Sequence, residues 1–124
     1  MNFDTNILIA YINGDKIVVD FILNLKNTNQ PCFISNIVEA EMLSLKTLNE
    51  EDLKMIKNFI NENFIVINAD RNVTQKSAEM RRSYSKIKLP DAIVLATSFL
   101  NGYPLCTRDI FEKVKIKEVI VINI

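Results

Sequence analysis

At 124 residues, 48% hydrophobic and 24% charged, the chain is long enough to bury one core and too apolar to be a disordered tail. Fifteen basic and fifteen acidic residues cancel, so bulk charge names no partner, and any nucleic-acid contact must come from a local patch. Histidine is absent, which excludes His-based triads and zinc sites built on imidazole.

Met1 to Phe3 reads as a very short first strand. It ends at Asp4-Thr5-Asn6, a cluster of N-capping residues before the helical run Ile7 to Ile12. Gly14 breaks that run, and Asp15 caps a second helix from Lys16 to about Lys26, with Ile17, Phe21 and Leu25 at i, i+4 spacing. A turn from Asn27 to Pro31 leads to a strand at Cys32-Phe33-Ile34. Ser35 caps a helix from Asn36 to about Leu48, and Asn49 caps the next, from Glu50 to about Asn61. Phe64 to Ile67 is a continuous apolar strand, as a buried parallel sheet requires. A polar, basic helix from Asp70 to about Lys86 precedes the most apolar helix, Leu89 to Leu100, which Asn101-Gly102 terminates. Leu105-Cys106 and Val119 to Ile122 complete five strands.

Strands alternating with helices predict an α/β fold: a three-layer, Rossmann-like domain with a central, mainly parallel sheet flanked by helices. No linker, repeat or composition break divides residues 1–124, so a single domain is expected. Cys32 and Cys106 each lie in an apolar strand, in neither CxxC nor Cys/His spacing, which suits buried thiols in a reducing compartment. No apolar run approaches the ~18 residues of a membrane span, and the N-terminus lacks a signal-peptide pattern. A cytoplasmic protein with no membrane partner is expected.

Ligands of parallel sheets bind beyond the carboxyl ends of the strands, where Asp4 and Asp109 both fall. Each also has a local reading, Asp4 as an N-cap and Asp109 as turn chemistry. On a wheel of the helix from Asn36, Ile37, Leu45 and Leu48 define an apolar side, flanked by Val38 and Ala40. Glu41 falls in the middle of that side and is expected to face inward, whereas Glu39, about 160° round from it, is expected to be solvated. An inward Glu41 needs a pairing charge, either a cation such as Arg108 or a metal. Asp91 follows Pro90 in the first turn of the apolar helix, where an acid also favours the helix dipole. Four carboxylates gathered without a cation would repel. An oxygen-ligated Mg²⁺ or Mn²⁺ resolves this and is a means of phosphodiester cleavage. From Arg71 to Lys88 six cations face Glu79 alone, and Tyr84 lies among them as a residue able to stack on a base. Arg81, Arg82, Lys86 and Lys88 are the candidates for holding phosphates beside the acids.

Asp4-Thr5-Asn6, Ser35 to Leu43 (SNIVEAEML), Leu89 to Thr97 (LPDAIVLAT) and Thr107-Arg108-Asp109 together resemble the PIN domain, and within it the VapC-like toxins of toxin–antitoxin pairs. The likeness spans essentially the whole chain in order and spacing. It implies a Mg²⁺- or Mn²⁺-dependent endoribonuclease acting on RNA, a homodimer, and inhibition by a cognate antitoxin. By position it implies Asp4, Glu41, Asp91 and Asp109 as catalytic and metal-binding acids, with Asn6 and Thr107 as supporting polar groups. The chain departs from the family in its short first strand and in a compressed region after Thr107, where Asp109 or Glu112 can complete the acidic site. Two other readings compete: a PIN-like binding module that has lost catalysis, and a phosphoacceptor receiver domain. The three best-placed acids argue against the first. The second needs an early acidic pair, which Asp4 lacks.

Overall fold

The computed structural model describes residues 1–109 and 116–124. Glu112 lies outside the described residues. The elements run β1 (Asn2–Phe3), α1 (Thr5–Ile12), α2 (Lys16–Asn27), β2 (Phe33–Ser35), α3 (Asn36–Leu43), α4 (Glu50–Asn63), β3 (Ile65–Ile67), α5 (Arg71–Ser83), α6 (Leu89–Asn101), β4 (Leu105–Cys106) and β5 (Val121–Ile122). The five strands form one sheet in the order β3-β2-β1-β4-β5, and every neighbouring pair is parallel. Asn2 pairs with both Phe33 and Leu105, and Phe3 with Cys106, so β1 is the central strand. In β2, Phe33, Ile34 and Ser35 are all buried although successive side chains point to opposite faces. Both faces of the sheet are therefore covered, and the expected three-layer α/β architecture holds. The edge strand β3 is more open, with Ile65 exposed.

The predicted caps explain most helix starts. Asp15 accepts the N–H groups of Ile17 and Val18, Ser35 that of Ile37, and Asn49 closes a capping box with Asp52. At the end of α6, Gly102 takes the left-handed conformation (φ 68°), where a β-carbon would be strained. Tyr103 then donates to the Ser98 carbonyl, and three residues bring the chain into β4. The central turns of α6 are fully buried through Ala92, Val94, Leu95, Ala96, Thr97 and Ser98, while Leu89 and Leu100 at its ends reach solvent.

Two helices are shorter than their patterns predict. α3 ends at Leu43 rather than near Leu48, because the Ser44 hydroxyl takes the Ala40 carbonyl and diverts the chain. α5 ends at Ser83 rather than near Lys86. Ile87 turns inward and is buried, its N–H donating to the Tyr84 carbonyl and its own carbonyl accepting from Arg81 Nε at 3.2 Å.

α6 is pinned to the central strand by Asn2, whose Nδ2 donates to Ser98 Oγ at 2.8 Å and to the Val94 carbonyl at 3.3 Å. Since α6 ends beside the start of β4, its first turn points the other way, toward the carboxyl end of the sheet. Asp91, three residues before Val94 or about 4.5 Å of helix rise, lies on that side. α3 packs against both α1 and α6 there, which brings Glu41's helix alongside the other two.

Candidate acidic site

Asp4 follows the central strand directly. Its backbone N–H still belongs to the sheet, donating to the Cys106 carbonyl at 3.0 Å, while its carbonyl begins α1. The residue is 4% exposed, so its carboxylate needs donors close by. Oδ1 accepts the N–H of Thr5 at 2.9 Å. Oδ2 accepts the Thr107 hydroxyl at 2.7 Å and, more weakly, Asn6 Nδ2 at 3.4 Å. The capping role and the site role are thus filled by different oxygens of one side chain.

Thr107, fully buried after β4, is the hub of the network. Its hydroxyl proton goes to Asp4, and its oxygen accepts Asn6 Nδ2 at 3.2 Å and the N–H of Asp109 at 3.1 Å. Asn6 completes the ring, its Oδ1 accepting the N–H of Arg108 at 3.2 Å. From the end of β5, Asn123 Nδ2 donates to the Thr107 carbonyl at 3.0 Å. These bonds fasten the turn after β4 to the start of α1, and with it the backbone of Asp109, whose residue is exposed.

Glu41 joins through Thr5. The Thr5 hydroxyl donates to Glu41 Oε1 at 2.9 Å, linking the starts of α1 and the middle of α3. Its position corrects the wheel. The buried face of α3 is Val38 and Met42, and Glu41 stands at the edge of that face, half-buried, instead of at its centre. Leu45, once α3 has ended, is exposed, and Glu39 is half-buried instead of solvated. Arg108 is not a partner of Glu41: it pairs with Asp15, Nη1 to Oδ2 at 2.8 Å. Asp91 is half-buried in the first turn of α6.

The oxygen-rich character of this region is unmixed. Cys106 is the thiol nearest Asp4 along the sheet, and burial first, then the charge of Asp4, pushes it up to about 12. It is a protonated core thiol at neutral pH. Among the described residues, no group of three or more Asp, Glu or Cys side chains is closed into a metal-holding cluster. Asp4 and Glu41 are joined through Thr5, and Asp4 and Asp109 through Thr107, while Asp91 arrives on a separate helix.

The basic run divides. Arg81, Arg82, Lys86 and Lys88 are exposed. Lys76 is committed elsewhere: it pairs with Glu79 at 3.1 Å and lies 4.2 Å above the Phe99 ring. Tyr84 is half-buried, its hydroxyl donating to Glu118 at 3.1 Å and its ring packed against the core. Arg82 borders an open concavity of about 760 Å³ between α5 and the end of α6, whose lining includes none of Asp4, Glu41, Asp91 and Asp109. Sequence reasoning missed two residues. Thr5 was visible only as an alternative cap, and Arg108 only as a partner for Glu41; the contacts they make cross 36 and 93 positions and leave no local pattern.

The model of the PIN domain family matches residues 1–115. Among solved structures, the chain is similar to one in the VapBC2 complex of Rickettsia felis bound to a fragment of promoter DNA, at 21% identity and a TM-score of 0.84, covering 99% of this chain and 97% of that one. It is also similar to a chain of a toxin–antitoxin complex from Klebsiella pneumoniae, at 29% identity and TM-score 0.77, covering 96% and 94%. A third likeness is to DNA-bound VapBC from Salmonella typhimurium, at 19% identity and TM-score 0.83, covering 98% and 96%. No curated protein matches.

Proposed function

The chain belongs to the PIN domain family, and from that premise we propose that it is a Mg²⁺- or Mn²⁺-dependent endoribonuclease, the toxin of a toxin–antitoxin pair. The observation that carries the proposal is Asp4: a nearly buried carboxylate at the carboxyl end of the central strand, oriented by Thr5, Asn6 and Thr107. A cap alone does not require the second oxygen to be held by a hydroxyl from another strand.

The donor set fits a hard cation, since it consists of carboxylates and hydroxyls with no imidazole in the chain. Asp4, Glu41, Asp91 and Asp109 would hold the ion, which supplies an activated water and neutralises charge developing on the scissile phosphate. The chain's own residues set the stage for that chemistry. Thr107 and Asn6 keep Asp4 Oδ2 turned toward the site, and Thr5 does the same for Glu41. The buried body of α6 keeps Asp91 from swinging away. Arg81, Arg82, Lys86 and Lys88 would hold backbone phosphates of an RNA strand, contacts that orient a substrate without reading its sequence. The complexes in which the structural neighbours occur support a cognate antitoxin as protein partner here, and we extend the proposal to a homodimer in the cytoplasm. Among the described residues, no helix is long and apolar enough to cross a membrane.

Incubation with a mixed pool of single-stranded RNA, in Mn²⁺ and in chelator, tests the proposal. Cleavage that needs Mn²⁺ and is lost in Asp91→Asn is the expected result. Equal cleavage by wild type and variant would refute the carboxylate mechanism. RNA binding without cleavage in any metal would make the chain a binding module.

A further inference from the structure

Arg108 is tied to three separate parts of the chain. Its N–H donates to Asn6 Oδ1 in α1 at 3.2 Å, its Nε to the backbone oxygen of Ile124 at 3.1 Å, and its Nη1 to Asp15 Oδ2 at 2.8 Å. Asp15 is divided in the same way as Asp4. Its Oδ1 accepts the N–H groups of Ile17 and Val18 at the start of α2, which leaves Oδ2 for Arg108. On either side of Arg108 stand Thr107, which holds Asp4, and Asp109, whose N–H returns to the Thr107 hydroxyl.

We propose that the Asp15–Arg108 ion pair positions the acidic site: it clamps the 107–109 turn onto α1 and α2, and so keeps the Thr107 hydroxyl on Asp4 and Asp109 facing the site. Arg108 acts through these residues and does not itself hold RNA. The two side chains are 34% and 31% exposed, so the pair adds little to global stability, and its effect is on local geometry. Groups that orient metal ligands in this indirect way change metal affinity about 10–100-fold when removed. This part of the inference rests on the proposed metal-dependent function, whereas the clamping of the turn does not.

The full-length chain tests both. Asp15→Asn is the decisive variant, since the one oxygen of Asn can keep the cap, while both the charge and the acceptor facing Arg108 are lost. Arg108→Gln and the double variant complete a cycle. In metal-free protein, hydrogen exchange at the Arg108 and Asp109 amides reads the clamp directly, because both amides donate to side chains of the network. Mn²⁺ binding, followed by the paramagnetic resonance of the free ion, reads the site. Each single variant should speed exchange at these two amides about tenfold and weaken Mn²⁺ binding about tenfold, with the melting temperature nearly unchanged and the double variant no worse than Arg108→Gln, which also loses the bond to Ile124. Unchanged exchange in Asp15→Asn would overturn the proposal, as would additive effects in the double variant. Loss of RNA binding in Arg108→Gln with a silent Asp15→Asn would make Arg108 a phosphate ligand and overturn it too. If wild type binds no Mn²⁺, the metal-dependent function fails, and the exchange rates still decide the clamp. Should Arg108→Gln fail to fold, Asp15→Asn decides alone.

Discussion

Thr107 has a single hydroxyl proton and a buried environment, so its hydrogen bonds cannot be reshuffled freely. Replacing it with Val keeps the volume, removes the donor to Asp4, and takes away the acceptor of the Asp109 amide and one of the two acceptors of Asn6 Nδ2. The cost should be about 1–3 kcal/mol in urea unfolding, the penalty of leaving buried polar groups unsatisfied; an unchanged midpoint would show that the network rearranges without loss. Asp15 makes a prediction of opposite kind. The Arg108 hydrogen bond, more than any other contact, holds its carboxyl below the usual range. A carboxylate with a lowered folded value stabilises the fold fully above its unfolded value of about 3.9, and loses that contribution as pH falls through the folded value. Because the pair is partly exposed, the stability difference between wild type and Asp15→Asn should be small, level at neutral pH, and vanish under acid, as followed by equilibrium unfolding in urea across that range. A difference that grows on acidification would contradict the pairing.

At the scale of elements, helix starts were readable from sequence and helix ends less so. Asp15, Ser35 and Asn49 cap where their residue types indicate, since an N-cap bond is made within three positions. The ends of α3 and α5 are decided by Ser44 turning back on Ala40 and by Ile87 seeking the core, neither of which disturbs the apolar spacing seen in the sequence. That early end also moves Glu41 out of mid-stripe: Leu45 and Leu48 fall outside the helix, and the buried face shifts to Val38 and Met42. Glycine marks the two helix ends that the sequence does show: Gly14, φ 76°, follows α1, and Gly102, φ 68°, closes α6. Gly102→Ala leaves open space around the new β-carbon but keeps it in the left-handed region, so it should cost about 1–2 kcal/mol in equilibrium unfolding, from backbone strain alone. A neutral substitution would mean that the end of α6 re-forms elsewhere.

Over the whole molecule, alternating elements and unbroken apolar strands were enough to indicate a parallel α/β sheet, and the order β3-β2-β1-β4-β5 places Asp4 on its middle strand. The candidate site was less accessible. Its acids could be nominated one by one, but the contacts that orient them, Thr5 with Glu41 and Thr107 with Asp4, are made only in the fold. The central claim is that Asp4 serves metal-dependent RNA cleavage and not merely the start of α1. Asn caps a helix as well as Asp does, so Asp4→Asn separates the two roles. The direct measurement is the RNA cleavage rate of wild type and Asp4→Asn at saturating Mn²⁺, with RNA binding and melting temperature recorded on the same preparations. A loss of roughly 10²-fold or more in rate, with RNA binding retained and a fall in melting temperature no larger than that of Thr107→Val, which breaks the same bond to Oδ2, is the predicted result. A variant that cleaves as fast as wild type would contradict the account and leave Asp4 a capping residue.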